Sequence, residues 1–246
     1  MDDIRDNTKT GLSFDRFGLK AVAAAAMTID HLAYYFIRMK DAPVLFIAMR
    51  CIGRLTAPLM CFFLAEGFAR TSSRPRYALR LALFAVISQA PYSYLHYGAF
   101  SLKRFSMIAT LLVSLLTLCA WEYIKPPYLK LPAVLALIAV CWRFCEWSFY
   151  TPIWALVFHI FRDSRAKQAV GFASVSVLML GGIAVRSFLR NGSWTNFIQL
   201  SVLLTVPLIL LYNGRKGPGG AAVKYFFYVY YPLHLAVIYL ILKYVL

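Results

Sequence analysis

The sequence predicts an all-α fold, a polytopic transmembrane helical bundle of about nine (eight to ten) spans, and three observations carry that expectation. Hydrophobic residues make up 61% of the chain and charged residues 15%, against about 45–50% and about 25% in soluble domains. Apolar runs of bilayer length recur from one end of the 246 residues to the other, leaving no room for a separate soluble domain. The 26 Lys and Arg outnumber the 10 Asp and Glu, for a net charge of +16, and they gather in the short connections between the runs.

Residues 1–17 read as a short polar cytoplasmic tail carrying Asp2, Asp3, Asp6 and Asp15, so the first apolar run is expected to act as its own insertion signal. Residues 18–246 form one membrane domain, with runs at 18–38, 43–68, 77–96, 105–124, 127–142, 149–161, 168–188, 194–212 and 224–244. A crossing takes about 20 residues, and 149–161 is too short for one, which points to a re-entrant or tilted segment. If all nine runs cross, sixteen Lys and Arg fall on the N-terminal side and eight on the other. The positive-inside rule then puts the N-terminus on the cytoplasmic side. The basic residues form no stripe interleaved with aromatic platforms, so lipid headgroups and an anionic ligand are the expected partners, not nucleic acid.

The first run is greasy except for Lys20 near its start and Asp30-His31 toward its middle. An ionisable side chain at membrane depth is costly, by about 2.5–3.5 kcal/mol on insertion scales, and is a functional candidate by default. Lys20 and His31 are eleven residues apart, three helical turns, so they share a face with about 16 Å of rise between them. A cation at the membrane edge in line with a deep imidazole suits a long anionic ligand with a buried reactive end. A snorkelling lysine and a histidine that bonds a neighbouring helix would give the same pattern.

In the second run Arg50 and Arg54 share a face, and Gly53 and Pro58 mark a point where the helix can break and expose backbone to a cavity. Glu66 and Arg70, again four apart, can pair with each other. The third run opens with Arg74, Arg76 and Arg80, a helix start able to meet phosphate or lipid headgroups. In the last run Tyr230 and His234 face together, with His234 about 15 Å in from Lys224 by helical rise. His96 and His159 have no second buried charge at useful spacing, and Glu122 and Glu146 lie near span ends and read as interfacial. Cys51, Cys61, Cys119, Cys141 and Cys145 lack ligand spacing, so no metal is expected.

Lys20-x10-His31 within Met27-Thr-Ile-Asp-His31 is followed in order by Ile52-Gly-Arg-Leu-Thr-Ala-Pro58, Ala65-Glu-Gly-Phe-Ala-Arg-Thr71 and Tyr77-Ala-Leu-Arg-Leu81. Ile87-Ser-Gln-Ala-Pro91, Tyr212-Asn-Gly214 and Tyr231-Pro-Leu-His-Leu235 come after them. Together these resemble the TraX family, associated with pilin acetylation, over residue 18 to the end with a weaker middle at 120–195. The Lys-x10-His element also resembles the wider transmembrane acyltransferases, including membrane O-acetyltransferases of glycans. Where TraX members carry an Asn at the start of the fourth run, this chain reads Lys103-Arg-Phe-Ser-Met107, and nothing is transferred to that stretch.

The resemblance implies acetyl transfer from cytoplasmic acetyl-CoA. Lys20, Arg80 and Lys224 would then meet the donor's phosphates and His31 would act as general base. Asp30 projects about 100° from His31 on the helix and is expected to hold Arg54, the candidate oxyanion stabiliser. Glu66, Tyr231 and His234 are expected on the acceptor side. The acceptor implied is the N-terminal amine of a peptide or pilin-like protein, or a glycan hydroxyl. Two other classes fit the same residues: a transporter with an Asp30, His31, Arg54 and Glu66 relay, and a non-catalytic assembly factor for a surface appendage.

Overall fold

The computed structural model describes residues 13–245, with the side chains of 221–224 excepted. Residues 1–12 of the polar tail and the Lys224 side chain therefore lie outside the described residues. The described residues form nine helical rods: α1 (Arg16–Phe36), α2 (Pro43–Arg70), α3 (Arg74–Tyr97), α4 (Met107–Tyr123), α5 (Pro127–Phe144), α6 (Tyr150–Ile160), α7 (Arg165–Asn191), α8 (Thr195–Leu210) and α9 (Ala221–Tyr244). They follow the nine apolar runs in order. Among the described residues there is no strand, only the isolated bridges Phe14–Tyr212 and Phe105–Cys145. By length and composition α2, α5, α7 and the Tyr225–Tyr244 part of α9 can cross a membrane unaided.

The rod ends follow from local chemistry. Asp15 caps α1 by accepting from the Gly18 N–H at 2.7 Å, and Ser73 and Ser164 cap α3 and α7 in the same way. Gly98 and Gly192 close α3 and α7 in the left-handed region, where a Cβ would be strained. Three rods are irregular inside. α2 stops at Gly53 and restarts at Thr56, α7 carries a π turn at Val177–Gly181, and α8 begins as a 3-10 helix over Thr195–Leu204. The end of the polar tail belongs to the fold: the Phe14 N–H donates to the Leu211 carbonyl and the Asn213 N–H donates to that of Phe14, both at 2.9 Å.

The distribution of polarity is that of a protein solvated by lipid. Leu79, Leu83 and Val86 of α3 and Leu131 and Leu135 of α5 point outward, while Ser88, Ser93, Thr110, Ser114 and Thr117 are fully buried. Ser88, Ser114 and Thr117 bond back into their own helices, Ser114 to the Thr110 carbonyl at 2.9 Å, so they cost little inside. The core is aromatic, with Phe62 and Phe68 of α2, Trp154 and Phe158 of α6 and Phe172 of α7 all below 2% exposed.

α6 is the short segment, and its location explains its length. It packs between the second half of α2 and α4, with Trp154, Ala155 and Phe158 fully buried, so it is a central helix with little contact with lipid. Eleven residues rise only about 16 Å. The turn at 145–149 that precedes it therefore descends into the protein. A second loop does the same: 98–106 folds back until Ser101 and Arg104 reach Gln89, about two helical turns below the end of α3. Gln89 Nε2 donates to both of those carbonyls at 2.9 Å, and its Oε1 accepts from the Ser106 N–H at 3.2 Å. The two loops pair with each other, Phe105 N–H to Phe144 carbonyl at 2.7 Å and Glu146 N–H to Phe105 carbonyl at 3.0 Å.

Replacing Gln89 by Leu removes those bonds and leaves buried carbonyls unpaired. At roughly 1 kcal/mol per net bond it should cost about 2–4 kcal/mol. Hydrogen exchange in detergent micelles should show 98–106 and 145–149 losing protection together, and unchanged protection of both loops would contradict the clamp.

Candidate functional site

The site begins where α1 meets the break in α2. Asp30 accepts from Arg50 at 2.8 Å, and both its carboxylate oxygens accept from Arg54 Nη2, at 3.0 and 3.1 Å. The approach is possible because Gly53 lies against Asp30, where a Cβ would overlap the carboxylate side chain. Arg54 is buried, donates also to Gln199 of α8 at 3.2 Å, and lies over the Trp147 ring at 4.9 Å. One carboxylate and two guanidinium groups thus tie α1, α2, α8 and the 145–149 turn together.

His31 follows on the next position of α1. Its Nδ1 lies 2.8 Å from the Met27 carbonyl, which can only accept, so the proton sits on Nδ1 and Nε2 keeps its lone pair. His234 repeats this arrangement on α9 with the Tyr230 carbonyl at 2.9 Å. The two rings meet edge to face at 5.0 Å, and His234 Nε2 lies 3.4 Å from His31 Nδ1. Tyr231, one turn earlier on α9, accepts from the Met107 N–H at 3.1 Å and donates to Glu146 Oε2 at 3.4 Å.

Four cavities run in a row through these residues, each sharing side chains with the next. The first, of about 380 Å³, is lined by Asp30, His31, Arg50, Arg54, His96 and Glu146 among others. A neck of about 30 Å³ follows, bounded by His31, Thr56, Met107, Glu146 and Tyr231. Beyond it an apolar channel of about 100 Å³ passes Met60, Leu81, Leu111 and Tyr228 to Lys20. It opens into a basic mouth of about 240 Å³ with Arg16, Lys20, Arg70 and Arg80 around it. Lys20 lies 5.7 and 5.4 Å from the Phe63 and Phe227 ring centres, and Arg80 lies over Tyr77.

The residues singled out in the sequence divide accordingly. Asp30, His31 and Arg54 come together at the large cavity, Lys20 and Arg80 at the mouth, and Tyr231 at the neck between. Glu66 lies apart from His31 and lines none of the four cavities. It lies twelve residues beyond Arg54, about 18 Å along the helix, where it pairs with Arg165 at 2.7 Å, Arg70 at 3.0 Å and Arg16 at 3.6 Å. His234 packs behind His31 and lines none of the four cavities. The expected pairing of Asp30 with Arg54 is present, with Arg50 as a second partner.

Glu146, His96 and Gln199 line the large cavity although the sequence offered them no such role. Glu146 looked interfacial because it follows a helix end, and only the shortness of 149–161 hinted that its loop runs inward. His159, by contrast, is buried at the other end of α6 against Glu122 at 3.1 Å. Among the described residues no group of three His, Cys, Asp or Glu side chains is placed to hold a metal ion.

A helical bundle with four helices long and apolar enough to cross a membrane, and with titratable groups lining a row of internal cavities, has the character of a polytopic membrane protein. The model of the TraX protein family matches residues 16–242, and the chain belongs to that family. It is also similar to a probable fimbrial assembly protein FimC, serogroup H1, of Dichelobacter nodosus, at 32% identity over 239 residues, covering 92% of this chain and 95% of that protein. No solved structure matches the chain.

Gly53→Ala tests the junction of α1 and α2. The added methyl must push Asp30 away from its arginines, which should cost about 1–3 kcal/mol as an overpacked contact. The thermal midpoint in detergent should fall accordingly, and an unchanged midpoint would show that the junction is loose.

Proposed function

We propose that this protein is an integral-membrane acetyltransferase that takes an acetyl group from acetyl-CoA on the cytoplasmic side of a bacterial inner membrane. The acceptor on this reading is an amine, foremost the N-terminal amine of a peptide or pilin-like protein. The row of cavities carries the reading: cations at one end, an apolar channel in the middle, and an imidazole with a free lone pair at the far end of it. The order matches the parts of acetyl-CoA, in which phosphates are joined to a reactive thioester by a long, mostly uncharged arm. All nine rods cross or enter the membrane, the N-terminus is cytoplasmic, and the basic mouth faces the cytoplasm where the donor is made.

Each residue then has a task that its surroundings allow. Arg16, Lys20, Arg70 and Arg80 bind phosphate at headgroup depth, where charges need not enter hydrocarbon, with Lys224 on the same end of α9. The channel excludes water from the thioester. His31 Nε2 removes a proton from the attacking group, while its Nδ1–H stays on the Met27 carbonyl. Arg54 is held by Asp30, Gln199 and the Trp147 ring, a fixed positive charge beside the neck that favours a developing oxyanion. The relative's name, a fimbrial assembly protein, supports an acceptor belonging to a surface appendage over a glycan hydroxyl or a transported ion.

Purified protein given acetyl-CoA and peptide amines should release free CoA and form acetyl-peptide. His31→Ala should lower kcat by about 10²–10⁴, the usual range for a lost general base. Turnover equal to the parent would remove His31 from the chemistry. Uptake of an ion by reconstituted vesicles with no acetyl transfer would favour a transporter.

Lys20→Ala and Arg80→Ala should each raise the KM for acetyl-CoA by roughly tenfold, about 1.4 kcal/mol, with kcat at saturation little changed. Calorimetry showing parent-like CoA affinity in both variants would place the donor elsewhere.

A further inference from the structure

We infer that Glu146 is the acceptor-selecting group of the site: its carboxylate binds the substrate as an ammonium ion, takes the proton that makes it nucleophilic, and passes that proton to the large cavity. This rests on the acetyltransferase reading and deepens it, because it specifies the charge state in which the acceptor arrives and the side on which the proton leaves.

Three observations carry it. The first is position. Glu146 and His31 line both the large cavity and the neck, so a group between them faces the channel on one side and open volume on the other. The second is charge. The cavity holds two carboxylates, and Asp30 is committed to Arg50 and Arg54, whereas Glu146 makes no ion pair among the described residues. Its side chain is met by neutral donors, the Tyr231 hydroxyl at 3.4 Å and the Met107 N–H. The charged and titratable groups around it are Asp30, His31 and Tyr35 of α1, Arg54 of α2, Tyr92 and His96 of α3 and Tyr231 of α9. Arg54 faces it with its guanidinium already spent on Asp30 and Gln199. Arg104, the remaining cation of the cavity lining, belongs to an exposed position.

The third observation is backbone strain. Trp147 and Ser148 have φ of 59° and 52°, two consecutive side-chain-bearing residues in the left-handed region. Such strain persists only where the surroundings over-determine it, and it concentrates at functional sites. Here the turn is held by the Glu146 N–H on the Phe105 carbonyl at 3.0 Å and by the Thr110 hydroxyl on the Glu146 carbonyl at 3.0 Å. Trp147 is held under Arg54. The result of the strained turn is that a carboxylate projects toward His31 from a loop that would otherwise sit at the surface.

The chemistry balances with two protons and two bases. An ammonium has no lone pair, so Glu146 first accepts one proton and leaves a neutral amine. The amine nitrogen bonds to the thioester carbonyl carbon. His31 takes the second proton from that nitrogen and delivers it to sulfur as the carbon–sulfur bond breaks, giving an acetamide and free CoA thiol. The first proton leaves Glu146 through the large cavity to water. A hydroxyl acceptor would need only His31.

The test uses the purified full chain and a mixture of random tetrapeptide amides, either with free N-termini or N-terminally trimethylated. The trimethylated mixture keeps the positive charge and cannot be acetylated. It should compete with free amines in the parent, and by calorimetry it should bind the parent at least tenfold more tightly than the N-acetylated mixture. Glu146→Gln should raise the KM for amines tenfold or more and abolish inhibition by the trimethylated mixture. Glu146→Asp should recover most of both. Equal binding of the trimethylated and N-acetylated mixtures by the parent would overturn the inference without any variant. So would a Glu146→Gln enzyme with parent-like KM and inhibition, or a Glu146→Asp enzyme no better than Glu146→Gln. If the parent transfers acetyl groups to no amine at all, the acetyltransferase reading itself has failed, which is a different result from these.

Discussion

Backbone amides brought into a lipid-solvated bundle without helical partners must find others, and this requirement governs the whole site. Each unpaired group at that depth costs several kcal/mol, so an irregular loop is tolerated only where the protein itself bonds it. Two loops are brought in here, and both are bonded. Gln89 and Ser93 hold 98–106 from α3, Thr110 holds Glu146 from α4, and the loops bond each other at Phe105 and Cys145. Because 98–106 folds back, Met107 starts α4 beside Tyr231; because 145–149 descends, Glu146 and Trp147 reach His31 and Arg54. Without the polar clamp the neck would have no wall.

Charge is handled at both ends by the same device, a single carboxylate shared among several arginines. Asp30 gathers Arg50 and Arg54 near the neck, and Glu66 gathers Arg16, Arg70 and Arg165 near the mouth. A buried cation alone would be expelled or neutralised, and a one-to-one pair would leave no field. Sharing one carboxylate keeps the guanidinium groups hydrogen-bonded and ordered while leaving net positive charge at each cluster. At the mouth that charge faces an opening wide enough for an anion; at the neck it lies beside an imidazole. Glu66 thus holds Arg16, Arg70 and Arg165 together at a distance from His31.

The histidines show how burial separates similar side chains. His31 and His234 each bond a carbonyl of their own helix through Nδ1, and each therefore has its proton fixed there. His31 faces the cavities, whereas His234 faces His31 and lines none of them. His234 packs edge to face against the His31 ring, and Tyr230 stacks on it at 5.4 Å.

The sequence by itself determined the nine helical rods, their order and the identity of the residues that an apolar run does not explain: Lys20, Asp30, His31, Arg50, Arg54 and His234. It did so because an ionisable group inside a hydrocarbon-length helix stands out against its own neighbours, and because helical spacing alone puts Lys20 and His31 in line. Beyond the Asp30–Arg54 pair, which the sequence already suggested, the tertiary structure alone decided which of them meet. Glu66 pairs with Arg70 as its spacing suggests, yet it also gathers Arg165; Glu146 reads as interfacial and Gln89 only as part of a motif, yet one lines the neck and the other holds its wall. The physical reason is that depth in a membrane is not a property of sequence distance from a helix end once loops fold back. A residue flanking an apolar run is interfacial if its loop leaves the bundle and buried if it returns. Which of the two happens here depends on hydrogen bonds from Gln89, Ser93 and Thr110, which lie 12, 8 and 36 residues away in the chain from the groups they satisfy.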